Sequence, residues 1–135
     1  MKLAVIGSRD FNDYKMLKRY LDYIHSKEQI TLIISGGARG ADKLSEKWAD
    51  DNNIQKSIHL PDWDKYKKAA GFIRNTDIVN EADVVLALWN KVSRGTADSL
   101  RKTIALKKQL WVVDFTTGKI IDSEEVENCI QLFDS

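Results

Sequence analysis

A single cysteine, Cys129, a single proline, Pro61, and two widely separated histidines, His25 and His59, are what this 135-residue chain has least of. One thiol excludes an intramolecular disulfide framework. The same thiol with two distant imidazoles offers no zinc-ligand spacing, so no metal is expected. Pro61 follows a short apolar run and reads as a strand terminator. Long apolar runs are missing as well. Leu3-Ala4-Val5-Ile6 stops at Gly7, too short for a signal peptide and far from the ~20 residues of a membrane helix. The expectation is a soluble, cytoplasmic protein with no membrane partner. An excess of one charge is also lacking, because 21 Lys and Arg offset 20 Asp and Glu for a net charge of +1. A general nucleic-acid binder normally carries a basic excess, so the balance argues against nucleic acid as the partner.

What is present is ordinary globular material, with 43% hydrophobic residues and no repeat, linker or low-complexity tract. At this length a second domain would leave neither with a sizeable core, so one domain over 1–135 is expected. Five short apolar runs, at 3–6, 31–34, 57–60, 84–88 and 110–113, are mostly unbroken and rich in β-branched residues. That pattern suits parallel strands covered on both faces. Helical patterns lie between them. Leu17, Leu21 and Ile24 share one face, with Asn12 or Asp13 as N-cap. Ala41, Leu44 and Trp48 form a second such face, and Ala97, Leu100 and Ile104 another. A helix over about 67–80 is weakened by Gly71. Gly118-Lys119-Ile120-Ile121 suggests a turn into a C-terminal edge strand. Val126, Cys129, Ile130 and Phe133 outline a last amphipathic helix, which serves either its own sheet or the dimer face of a homo-oligomer. The alternation predicts an α/β fold: a three-layer, doubly wound, mostly parallel sheet of about five parallel strands plus that edge strand.

Ligands of such sheets bind beyond the carboxyl ends of the strands, so the loops after strands carry the functional signal. Of the 21 cations fifteen are Lys and six are Arg, and four of the six arginines fall in or near these loops. Gly7-Ser8-Arg9 follows the first run, and Ser35-Gly36-Gly37-Ala38-Arg39-Gly40-Ala41-Asp42 the second. Ser93-Arg94-Gly95-Thr96 comes after the fourth. Each combines glycine, a hydroxyl and an arginine, and the last two open into helices. Glycine admits close backbone approach, the helix N-terminus offers unpaired N–H groups, and arginine presents a planar fork to phosphate. Together they describe an anion pocket for a nucleotide phosphate, centred on Arg39 and Arg94. Neither G-x-G-x-x-G nor G-x-x-x-x-G-K-[ST] occurs, which excludes the ordinary dinucleotide-cofactor and ATPase motifs. No cofactor is implied. Segment 61–75 adds Trp63, Tyr66, Arg74 and Asn75. Either the aromatics stack on a base and Arg74 reaches a phosphate or ribose, or Trp63 packs on the sheet rim and Arg74 pairs with Asp77.

These motifs resemble the YspA-like, cpYpsA-related branch of the SLOG superfamily, Rossmann-like domains related to the DprA and LOG proteins. The resemblance spans roughly 3–114. Besides the three loops it rests on Phe11, Trp48-Ala49, Asp62-Trp63-Asp64-x-Tyr66, Ala70-Gly71-x-x-Arg74-Asn75, Ala82-Asp83 and Trp89. It implies a nucleotide or nucleotide-derived ligand, such as an ADP-ribose-like compound, held by a sensor, carrier or sequestering module of nucleotide signalling. LOG-type relatives are phosphoribohydrolases that use an Arg and a Glu near their Gly-Thr loop. By that analogy Asp98, two residues after Thr96, and Arg74 are candidate catalytic residues of a nucleotide N-glycosidase. DprA suggests a second alternative, single-stranded DNA binding. The chain departs from the family in two places: Lys91 stands where glycine is common and Phe72 where proline is usual.

Overall fold

The computed structural model describes residues 1–134. Its strands are β1 (Lys2–Gly7), β2 (Leu32–Ser35), β3 (Gln55–Ile58), β4 (Val84–Trp89), β5 (Gln109–Asp114) and β6 (Lys119–Ile121). They form one sheet in the order β3-β2-β1-β4-β5-β6. The first five run parallel, and β6 pairs antiparallel with β5 through Val112↔Ile121 and Asp114↔Lys119. The helices are α1 (Tyr14–Lys27), α2 (Ala41–Asp51), α3 (Trp63–Tyr66), α4 (Ala70–Glu81), α5 (Arg94–Ala105) and α6 (Ser123–Asp134). Among the described residues no helix is long and apolar enough to cross a membrane.

The unbroken apolar runs are explained by burial on both faces. Leu3 and Val5 of β1, with Leu86 and Leu88 of β4, meet Leu17, Leu21 and Trp48 of α1 and α2. Ala4 and Ile6, with Val85, Ala87 and Trp89, meet Ile78, Leu100, Val126 and Ile130 of α4, α5 and α6. All six residues of β4 are buried. The terminal helix α6 therefore docks on its own sheet through Val126 and Ile130. Asp13 caps α1, accepting from the backbone N–H of Met16 at 3.0 Å.

Two elements fall elsewhere than their apolar patterns suggest. β3 occupies Gln55–Ile58 rather than 57–60, paired with β2 from Leu32↔Gln55 to Ser35↔Ile58. As an edge strand it has no sheet neighbour on its far side, and Gln55 and Lys56 are exposed. Its position is fixed by the ladder to β2, which polarity does not reveal. The helix expected over 67–80 is present as α4, but its first three residues, Lys67–Ala69, form a 3-10 turn, and the separate short helix α3 precedes it. Asp62 opens α3 by accepting from Lys65 N–H at 3.1 Å. Lys67 then turns left-handed at φ 54° and ends it.

Candidate functional site

The strand order reverses between β1 and β4, so the chain leaves β1 toward α1 on one face and leaves β4 toward α5 on the other. A crevice opens between the two loops, as the doubly wound architecture requires. Buried Ser8 ties its walls together. Its N–H donates to Leu88 O at 3.0 Å, and its hydroxyl accepts from Asn90 N–H at 3.2 Å. Beyond β4, Asn90 Oδ1 accepts from the N–H groups of Val92 and Ser93 at 2.9 and 2.8 Å. This turn forces Lys91 to φ 68°, which explains why glycine suits that position. Ser93 then caps α5, accepting from Thr96 N–H at 3.4 Å.

The loop after β2 is held from below. Ser35 Oγ donates to Glu46 Oε2 at 2.7 Å and accepts from Gly37 N–H at 3.1 Å. Gly40, at φ 86° and ψ −133°, brings the start of α2 against the β1 loop. A Cβ there would stand 2.6 Å from Ser8 O.

The crevice is a cleft of about 390 Å³. Gly7, Ser8 and Arg9 line it from the first loop, and Arg39 and Asp42 from the second. Arg74 and Asn75 enter from α4, and Ser93, Gly95 and Thr96 from the start of α5. Arg74 is anchored twice, Nη1 donating to Gly36 O at 2.8 Å and Nε to Asn75 Oδ1 at 3.0 Å. Asn75 passes the connection on, donating from Nδ2 to Gly95 O at 3.3 Å and Asp98 Oδ2 at 3.2 Å.

Asp42 is open to the cleft and enclosed by protein elsewhere. Its Oδ2 accepts from Ala38 N–H at 3.1 Å. Burial pushes its carboxyl up to about 6, against the Ala38 N–H and the Arg74 guanidinium, which pull it down. Burial also draws the Arg74 guanidinium below its ordinary value, opposed by Asp42 and reinforced by Arg9. Because the folded protein holds the Asp42 proton more tightly than the unfolded chain, the associated stability is fully present below about pH 4. It is lost as pH rises through about 6. Asp42→Asn removes this loss, so the variant's stability advantage should grow between pH 4 and pH 6.5 to about 2–3 kcal/mol. Urea unfolding across that range checks it, and an advantage independent of pH refutes it.

Several residues singled out in the sequence lie outside the lining. Gly36, Gly37, Gly40 and Ser35 are not cleft-facing; they shape the loop beneath it. Arg94 turns away, with its guanidinium carbon 6.0 Å from the Phe133 ring centre. Trp63 and Tyr66 are exposed and do not line the cleft. The nearest Trp63 ring atom lies 3.8 Å from where a Gly71 Cβ would be, so that residue stands against the start of α4. Arg74 faces Asp42, while Asp77 is exposed. Asp98 is not paired with Arg74, because its carboxylate accepts from Lys102 Nζ at 2.7 Å and from Asn75. Lys91 reaches Glu125 at 2.7 Å and Asp114 at 3.5 Å, which places its charge outside the cleft lining. Conversely, Asp10, Asn90 and Ser99 line the cleft without having been singled out. An Asn directly after a buried strand is the turn signal by which Asn90 was findable. Among the described residues no group of three His, Cys, Asp or Glu is arranged to hold a metal.

The model of the YspA, cpYpsA-related SLOG family matches residues 1–66. "Gene 61 protein" of Mycobacterium phage D29 is 32% identical over 121 residues, covering 84% of this chain and 95% of the phage protein. The X-ray structure of DNA processing protein A (DprA) from Streptococcus pneumoniae matches with a TM-score of 0.73 at 18% identity, over 96% of this chain. The chain spans 56% of that DprA chain, and at this identity the likeness concerns the Rossmann-like fold alone. Agreement with the family over the first two glycine-arginine loops, and with the phage relative over 84% of this chain, shows that this chain belongs to the YspA, cpYpsA-related SLOG family.

Proposed function

We propose that this chain, acting as one ligand-binding domain, holds a nucleotide or nucleotide-derived phosphate compound in the cleft between β1 and β4, as a sensor, carrier or sequestering module. One observation carries the reading: the starts of α2 and α5 line a single cleft together with Arg9, Arg39 and Arg74. Helix N-termini and arginine forks are both suited to phosphate, and about 390 Å³ is within the range of small-ligand pockets. The two helix ends are not equivalent. The first turn of α2 already carries a carboxylate, Asp42. The first turn of α5 has no acid, and the space where a Gly95 Cβ would stand is open. The phosphate therefore goes to Ser93–Thr96 and the arginines, while Asp42, Asn75 and Asn90 face the hydroxyls or base of the ligand.

A thermal-shift screen with mononucleotides, ADP-ribose and cyclic nucleotides tests this. At a hundredfold excess over Kd a bound ligand adds about 2.7 kcal/mol, enough to raise Tm by several degrees. If no phosphate compound moves Tm, the proposal falls. The ligand is expected back unchanged by mass spectrometry. The N-glycosidase alternative has less support, since the Asp98 carboxylate is engaged by Lys102 and Asn75 and is not in the lining. Free base in the product would reinstate it.

A further inference from the structure

Resting on the phosphate-ligand reading above, we infer that binding in this cleft is coupled to uptake of one proton from solution by the Asp42 carboxylate. The arrangement is a buried acid placed where an anion must come. Asp42 lines the cleft beside Arg74, the cation that a phosphate needs. The charged groups acting on Asp42 are Arg74 from α4 and Glu46 from its own helix. The N–H groups of Ala38 and Gly36 support the ionised form from the loop. Glu46 is itself engaged, with Ser35 at 2.7 Å and Lys43 at 3.5 Å. Arg9 and Asp10 line the same cleft from the loop after β1, and Arg39 from the loop that precedes α2.

In the free protein the Arg74 guanidinium favours the charged carboxylate. A phosphate that takes hydrogen bonds from Arg74 removes that support and adds a like charge nearby. Both effects favour the neutral acid. Burial has already done part of the work: with its carboxyl at about 6, Asp42 starts about two units above an ordinary carboxylate, though it is still mostly ionised at pH 7.5. The proton comes from buffer and joins a carboxylate oxygen, and no bond of the ligand is broken. Once neutral, the carboxyl also gains an O–H donor for a phosphate or ribose oxygen. Affinity should therefore strengthen up to tenfold per unit as pH falls from 8 toward 6.

ADP-ribose is the probe of choice, because its phosphates carry no proton that titrates near neutrality. Titration calorimetry at pH 7.5 in two buffers of different ionisation enthalpy reads the protons directly. The wild type should take up close to one proton per ADP-ribose. Asp42→Asn, which imitates the protonated carboxyl, should take up none and bind more tightly than the wild type at pH 8. Should that variant not fold, a carbon-13 carboxyl titration of the wild type keeps the inference testable, since the Asp42 midpoint must move to about 8.5 or higher with ADP-ribose bound. Binding heat that does not depend on buffer, or a midpoint that stays put, overturns the inference and leaves the phosphate-ligand reading standing. No heat with ADP-ribose and no thermal shift with any nucleotide overturns both.

Discussion

Gly40→Ala should lower stability by about 3–5 kcal/mol, from backbone strain and overpacking that each cost a few kcal/mol. The backbone at this position has φ 86° and ψ −133°, a region that residues with a Cβ rarely enter. The added methyl would meet Ser8 O at 2.6 Å, Arg9 O at 2.9 Å and Arg9 Cα at 3.0 Å. All three are backbone atoms of the loop tied to β4 through Ser8, so they have little freedom to retreat. For a chain of this size the loss corresponds to a fall in Tm of roughly 10 °C or more. Gly95→Ala is the control. A Cβ there has nothing within 4 Å, and the residue lies in the first turn of α5. Calorimetric scans of the two variants give the answer, and a Gly40→Ala Tm within about 3 °C of wild type would refute the strained-loop account.

Arg74→Ala should weaken nucleotide binding about a hundredfold, equivalent to about 3 kcal/mol. The residue serves the cleft in three ways. It is the half-buried cation among the lining arginines, with Arg9 and Arg39 exposed. It pins the Gly36 carbonyl at 2.8 Å, which fixes the loop after β2. It also neutralises Asp42, which is left as an unsupported buried acid when the guanidinium is removed. Arg74→Lys should recover little, because lysine cannot donate to Gly36 O and Asn75 Oδ1 from one planar fork. Arg94→Ala, whose guanidinium lies over Phe133, should bind like the wild type. Calorimetric titration of the three variants measures the differences. An Arg74→Ala affinity within threefold of wild type would mean that the ligand is held elsewhere.

The contrast between Arg74 and Arg94 shows where reading a chain by pattern stops. Both stand in Gly-, hydroxyl- or amide-containing motifs after strands, and both are equally suited to phosphate by type. Gly95 and Thr96 line the cleft while neighbouring Arg94 does not, because consecutive helical residues point about 100° apart. Which of them faces the crevice is decided by how α5 packs against the sheet and beside α6, which supplies Phe133. Lys91 has the same history. Its loop was visible, but the partners Asp114 and Glu125 that take its charge are remote in sequence. Asp98 looked available until Lys102, one helical turn along, and Asn75 from α4 were seen to occupy it.

The order of elements was legible because its causes are local. Burial of β1 and β4 on both faces demands unbroken apolar runs, and each helix needs a repeating apolar side toward the sheet. The apolar run at 57–60 does not mark β3, because an edge strand owes its position to hydrogen bonds with β2, which leave no mark in polarity. Residue pattern was enough to specify the α/β alternation, the mostly parallel sheet and the glycine-arginine loops at its carboxyl edge. Folding sets which arginines share a cleft, that Asp42 lies beside Arg74, and that burial raises the pKa of this acid. Those properties depend on distance, direction and desolvation among groups brought together from four separate loops and helices, and such terms exist only once the chain has closed around them.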